Sequence, residues 1–516
     1  MHGVTRAITR SALVLLVTAA GCGRACASTD ATDRDGAAAS SSDRASPDAP
    51  SSHPPVEPWL ARLGGEGEDE GLAVATGPDG TVAVAGVFSG VVEPDGIDGA
   101  EPWRSGGGSD AFVAVWSADG RLRWTRTLGG GGEDRGHAVT VASDGSVVVA
   151  GRFQGAAEIG DGAADVGRLR GTGSSDAFVL SLDRDGAVRW SRTIGGSGWA
   201  EALALREAPG GGVLVGGRFA GTVDLDPTEG TDQRTAAGDV DGFAVMLTSD
   251  GGRVWSRVVG GAGLDEVLTV DVDASGSVLA GCFSDVVDLD ADGVEEPRRA
   301  SGFTDVFVVR LAPDGALRWA RTWGGAYVDQ ANGVALASGG EVAVTGIFVD
   351  AVSFDPAAED GERRSVGRSD VFVAALSADG SLRWVRALGG PSSDYGTGLA
   401  VGPAGEVVVT GRFQGTASIV AGEGRVDLTS SGHRPDGFVA GVDRDGRSPW
   451  AASIGGPGLD RCRAVAVGAG GAVVVTGAFE DTLEVRMGDD APRRTTSRGA
   501  ADVFVFRWLD TLRHAR

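Results

Sequence analysis

The sequence predicts an all-β chain, a seven-bladed β-propeller with four antiparallel strands per blade, on three observations. A Trp followed by Gly-Gly five and six residues later recurs at Trp59, Trp124, Trp190, Trp255, Trp319, Trp384 and Trp450, at steps of 65, 66, 65, 64, 65 and 66 residues. Short apolar runs between these marks alternate with period two, and none has a helical period. The chain ends hold complementary parts of one unit. A small sheet cannot bury both faces alone, so its copies stack, and twisted sheets stacked about an axis form a propeller.

Within the first full unit, residues 71–76 read as a short apolar first strand, and Pro78-Asp79-Gly80 as a turn. Residues 81–88 alternate as a second strand, and a Gly/Pro/Asp-rich loop runs over 89–109. Residues 110–116 form the third strand, Asp119-Gly120 the hairpin turn, and 121–128 the fourth strand. The second strand always ends Gly-x-Phe, at Phe88, Phe153, Phe219, Phe283, Phe348, Phe413 and Phe479. The third opens with an Asp two residues before a Phe, at Asp110, Asp176, Asp241, Asp305, Asp370, Asp436 and Asp502. The last unit stops after its third strand, and the chain begins with an orphan fourth strand at Trp59. Pairing the two closes the ring and removes two exposed edges.

Composition narrows the function. The net charge of -25 repels phosphate backbones, so nucleic acid is not expected as a partner. The 46 basic residues are all Arg, which reads as GC-rich codon usage. Cys22, Cys26, Cys282 and Cys462 match neither a zinc pattern nor a disulfide framework. In a ring, Cys282 and Cys462 lie too far apart to join and read as buried free thiols.

The N-terminal stretch reads as an export signal over residues 1–21: Arg6 and Arg10, then a short apolar run, then Ala19-Ala20-Gly21-Cys22. Small residues before a cysteine resemble a bacterial lipobox, with Ala19 where Leu or Val usually stands. The expectation is lipidation at Cys22, then a Ser/Asp/Pro-rich tether over 22–56 and the propeller over 57–516. Ordinary cleavage with Cys22 incidental is the competing reading.

The repeat, read as Trp-x-Arg-x-Leu/Ile-Gly-Gly, an Asp-Gly turn, Gly-x-Phe and Ser-Asp-x-Phe-Val, resembles the SBBP-type β-propeller repeats of bacterial exported proteins. Over residues 59–509 it is similar to exported lipoproteins of myxobacteria. That resemblance implies the propeller fold and little about activity. Asp119-Gly120 followed by Trp124 also resembles the tryptophan-docking motif of quinoprotein dehydrogenases, which normally have eight blades; here seven copies stand and vicinal cysteines are lacking. The Trp is therefore expected to dock blades.

By parity, the variable loops between second and third strands share one face with the blade-to-blade Gly-Gly segments. Variable loops on a rigid scaffold are where binding resides. That face carries Asp69, Asp134, Asp265, Asp329, Asp394 and Asp460, one per blade, with Ala200 and Glu201 where the third copy breaks the pattern. Two readings compete: an acidic ring drawing a cation or a basic partner, or turn residues accepting backbone N–H groups. Asp288-Leu-Asp290-Ala-Asp292-Gly293 matches the first half of a calcium loop, although Arg299 stands where the bidentate Glu belongs. Calcium at Asp288, Asp290 and Asp292 is the one cofactor this pattern suggests; an acidic surface loop is the alternative. Five His without a ligand pair, and no nucleophile motif, argue against catalysis. The only breaks in the repeat are Trp199-Ala200-Glu201 and Tyr327. The expectation is a monomeric, non-enzymatic scaffold, lipid-anchored at the outer membrane or cell surface, binding an envelope protein or polysaccharide. The alternative is a secreted carbohydrate-active or quinoprotein-like enzyme.

Overall fold

The computed structural model describes residues 57–94, 101–160, 165–290, 297–355, 361–421, 424–487 and 491–509. The signal, Cys22 and the tether lie outside these residues, as does Asp292.

The described chain is all-β apart from a single 3-10 turn, Ala469–Gly471. Each blade is a meander. In blade one, Glu70–Thr76 pairs Val82–Phe88, which pairs Asp110–Trp116, which pairs Leu122–Gly130. The same four-strand order recurs to blade six, Tyr395–Val401, Val407–Phe413, Asp436–Val442 and Trp450–Gly455. Blade seven is built from both ends: Arg461–Val467, Ala472–Phe479 and Asp502–Leu509, then Trp59–Leu63 as its outer strand. The register runs Trp59 opposite Arg507 to Leu63 opposite Val503. Second and third strands are buried along almost their whole length because both faces meet neighbouring blades. Each apolar cluster draws on two adjacent blades; one gathers Trp59, Leu63 and Val503 of blade seven with Phe88, Phe112 and Trp116 of blade one.

One feature departs from the sequence reading. The segments read as loops between second and third strands carry short hairpins. Ala156–Gly160 pairs Asp165–Arg170 and adds itself to the outer strand of the preceding blade, with Ala157 opposite Gly130. Thr222–Asp224, Val286–Asp288 and Thr482–Val485 do the same for the blades before them. Single bridges, Gly65 to Val92, Gly324 to Ser353 and Gly389 to Ser418, mark the other three boundaries. Every blade thus clasps the Gly-Gly end of its predecessor's outer strand, pairing with one to four residues there. Their shortness hid these hairpins, because strands of two to six residues carry little periodic signal.

The motif Trp-x-Arg-x-x-Gly-Gly is a docking device. Trp124 Nε1 donates to the Arg184 carbonyl at 2.9 Å, in the hairpin turn of the next blade. Arg126 Nε donates to the Gly186 carbonyl of the same turn at 2.8 Å. Trp190 with Arg192, Trp319 with Arg321 and Trp384 with Arg386 repeat this pair of bonds. Trp59 closes the ring by donating to Ala118 at 3.0 Å. Gly186 is needed in its turn twice over: its φ is +83°, and a Cβ would stand 2.9 Å from the Trp124 ring.

Candidate functional site at the channel mouth

The two Asp columns meet. Asp110, opening a third strand, accepts the Gly106 N–H at 3.1 Å. Asp134, in the adjoining blade-to-blade loop, accepts the N–H groups of Gly130 and Gln154 at 2.9 Å each. Asp69, Asp329 and Asp394 bridge the same two backbone sites in their blades, and Asp460 accepts Gly456 N–H at 2.7 Å. At Asp265 both carboxylate oxygens are buried without a hydrogen-bond partner. All six loop carboxylates are at most 1% exposed, so they sit inside the loop face rather than on it. Burial, and after it the facing carboxylate, pushes Asp69, Asp110 and Asp460 up to about 7 and Asp265 to about 8. The first Gly of Gly-Gly makes room for the strand Asp: a Cβ on Gly129 would lie 2.1 Å from the Asp110 carboxyl carbon. The second makes room for the clasp, since a Cβ on Gly130 would lie 2.1 Å from the Ala156 carbonyl.

Asp288 ends a clasp strand, and the buried Asp290 donates its N–H to Asp288 Oδ1 at 3.0 Å. Both residues make further interactions within the chain. Among the described residues no group of three or more His, Cys, Asp or Glu is arranged to hold a metal ion. Cys282 and Cys462 are buried free thiols.

The innermost strands enclose a cavity of ≈ 210 Å³ on the axis. Each of these strands carries a β-bulge at the same place, between Gly71 and Ala73 in blade one and between Cys462 and Ala464 in blade seven. A bulge leaves one residue out of the ladder and re-aims it. The bulged residues line the cavity: Leu72, Leu203 and Leu268 on one arc, His137 between the first two, and Asn332, Thr397 and Arg463 on the other. Two residues nearer the loop face, the column after the loop Asp is Glu70, Arg135, Glu201, Glu266, Gln330, Tyr395 and Arg461 in blade order. These two columns change chemistry from blade to blade while their flanks repeat. Comparing the seven copies column by column would have exposed them from sequence.

The mouth is charged and asymmetric. Glu201 accepts from Arg218 Nη2 at 2.7 Å and stands 2.7 Å from His137 Nε2 and 3.3 Å from Arg152 Nε. Arg218 also pairs Glu266, bridging blades three and four, and lies 5.8 Å over the Trp199 ring. Burial would raise Glu201, but His137 and Arg218 outweigh it and hold the carboxyl at about 2. A carboxyl so held stays ionised at neutral pH and makes a poor general acid. Across the channel, Glu70 meets Arg463 Nε at 2.6 Å and Arg461 Nη1 at 3.8 Å. The break at Ala200-Glu201 is thus part of this network. Tyr327, the other break, is 45% exposed, and its carbonyl accepts the N–H of Phe303, which is 70% exposed.

No family model matches the chain. It is 26% identical over 473 residues to the regulatory protein FlaEY of Caulobacter vibrioides, covering 85% of this chain and 47% of that protein. It is 21% identical over 328 residues to an uncharacterized WD repeat-containing protein of Acanthamoeba polyphaga mimivirus, covering 53% of this chain and 24% of that one. The chain therefore spans about half or less of each relative's length. Among solved structures it resembles phage phi92 endosialidase at TM-score 0.36 and 10% identity, covering 88% of this chain and 70% of that one. A Bacteroides caccae protein of unknown function matches at TM-score 0.29 and 12% identity, over 64% of this chain and 94% of that one. The fold is a seven-bladed β-propeller, and one of these relatives is a WD repeat-containing protein.

Proposed function

We propose that this propeller is a non-enzymatic binding scaffold, exported and held to the cell envelope by a lipid on Cys22. It presents its loop face and channel mouth to an envelope protein or polysaccharide. The carrying observation is a division of labour within the repeat. Trp, Arg, Gly-Gly and both Asp columns serve blade docking and loop closure, whereas the two columns at the mouth vary, and Phe303 and Tyr327 stand exposed on the loops next to Asp305 and Asp329. Exposed aromatics on the loops of a rigid scaffold suit recognition. Likeness of the repeat to SBBP-type lipoproteins supports the address at the envelope.

Two experiments test this reading. Native protein is compared with Cys22→Ser by intact mass and detergent-phase partitioning. A diacylglyceryl mass and detergent partitioning, both lost in the variant, are expected; an unlipidated soluble product overturns the anchor. Purified envelope polysaccharide is then sedimented with wild type and with Phe303→Ser/Tyr327→Ser. Equal cosedimentation of the two overturns the loop face as the binding surface for polysaccharide.

A further inference from the structure

Apart from the buried aspartates, the mouth carries the arginines Arg135, Arg152, Arg218, Arg412, Arg461 and Arg463 against the glutamates Glu70, Glu201 and Glu266, in a chain whose net charge is -25. The excess concentrates on one side. At Glu201 the balance closes, because that carboxylate takes up Arg218, Arg152 and His137, and Arg218 is shared with Glu266. At blades six, seven and one it does not close. Arg463 and Arg461 both lean on a single carboxylate, Glu70, at 2.6 and 3.8 Å. A third guanidinium, Arg412, has its Cζ 4.3 Å from the centroid of the Tyr395 ring. Arg461 Nε is buried with no acceptor.

From this juxtaposition we infer that Arg412, Arg461 and Arg463 form an oxyanion site that takes one carboxylate or sulfate group of a ligand entering the channel mouth. The inference rests on the binding-scaffold reading and names the chemistry of its ligand. Guanidinium groups match planar oxyanions in a two-bond fork, and a partly dry rim strengthens that pairing. Burial, and the charges of Arg463 and Arg461, hold Arg412 below its usual range, a strain that a bound anion relieves. Arg463 also lines the cavity, so the site opens onto ligand-sized space. The overall negative charge opposes a polyanion. The occupant is therefore a compact group, free or at the end of a larger neutral chain.

Calorimetric titration of the full chain at constant chloride tests this, with sodium glucuronate, sodium sulfate, glucose, and a tetrasaccharide of three neutral sugars ending in one glucuronate. Saturable binding of glucuronate, competition by sulfate and no binding of glucose are expected. Tighter binding of the tetrasaccharide marks a glycan end as the source; equal affinity marks a free small anion. Arg412→Gln and Arg463→Gln should each weaken binding about tenfold. Glu70→Gln frees two arginines and should tighten binding severalfold, a change of sign that a merely structural role does not produce. Far-UV dichroism checks folding, and Arg412→Lys replaces any variant that fails to fold. Absence of saturable binding to the folded wild type, or unchanged affinity in Arg412→Gln, overturns the site. Cosedimentation through Phe303 and Tyr327 is read separately, so the scaffold reading stands or falls on its own.

Discussion

Trp450 and Trp508 meet edge to face, with ring centroids 6.2 Å apart and planes at 84°. Elsewhere the docking Trp donates to a hairpin turn of the next blade, as Trp124 does at 2.9 Å. Blade seven has no such turn, because its outer strand comes from the other end of the chain. Trp508, stacked on Phe506 at 5.1 Å, supplies the surface that Trp450 would otherwise lack. The indole contact replaces a missing covalent connection at the ring's closure.

That closure sets the first prediction. Trp508→Ala should cost about 3–5 kcal/mol in urea unfolding, since it empties a buried site beside Trp450. Trp59→Phe keeps the ring but loses the bond to Ala118, and should cost only about 1 kcal/mol. Equal losses in the two variants would contradict the packing role given to Trp508.

Neighbouring glycines should behave oppositely. Gly129→Ala drives a methyl into the Asp110 carboxylate and should destabilise by about 1–3 kcal/mol. Gly131 has nothing within 4 Å of a Cβ, so Gly131→Ala should fall within about 0.5 kcal/mol of wild type. Thermal melting of both variants measures this; a neutral Gly129→Ala would mean the carboxylate moves aside freely.

The paired aspartates make stability depend on pH. Burial holds the native carboxyls of Asp329 and Asp394 at about 6, those of Asp69, Asp110 and Asp460 at about 7 and that of Asp265 at about 8, against about 3.9 unfolded. Between those limits the native state binds more protons than the unfolded one. Stability is therefore fully present at the acidic end and is lost as pH rises through 6 to 8. Glu201, held at about 2, works the other way, but its contribution is lost only below the ordinary glutamate range. Melting temperature should be higher at pH 5 than at pH 8.5. Asp265→Asn should flatten that slope, and Ala200→Asp, which installs the missing partner of Asp176, should steepen it. Melting that is flat from pH 5 to 8.5 would refute the account.

Calcium remains a proposal for the clasp of blade four. If Asp288, Asp290 and Asp292 hold the ion, millimolar calcium should raise the melting temperature relative to chelator, and Asp290→Ala should abolish the rise. No shift in wild type, or a shift retained in the variant, excludes it.

The blade count, the four-strand order and the closure by both termini were legible in the sequence, because they rest on local alternation and marker spacing. The docking role of the Trp followed from its periodicity. The clasping hairpins were not legible, since their pairing energy comes from another blade's edge. Nor was the pairing of the two Asp columns, which meet only where one blade's third strand abuts the next blade's loop. The mouth depended most on tertiary structure. Which residue of an innermost strand leaves the ladder is set by a bulge, and which charges then meet is set by ring closure. Arg463 and Glu70 are separated by 393 residues and touch because the last blade is neighbour to the first. Sequence alone determined the repeating scaffold, whose forces are local; the charge arrangement at the mouth was decided by contacts between blades, which only the closed ring creates.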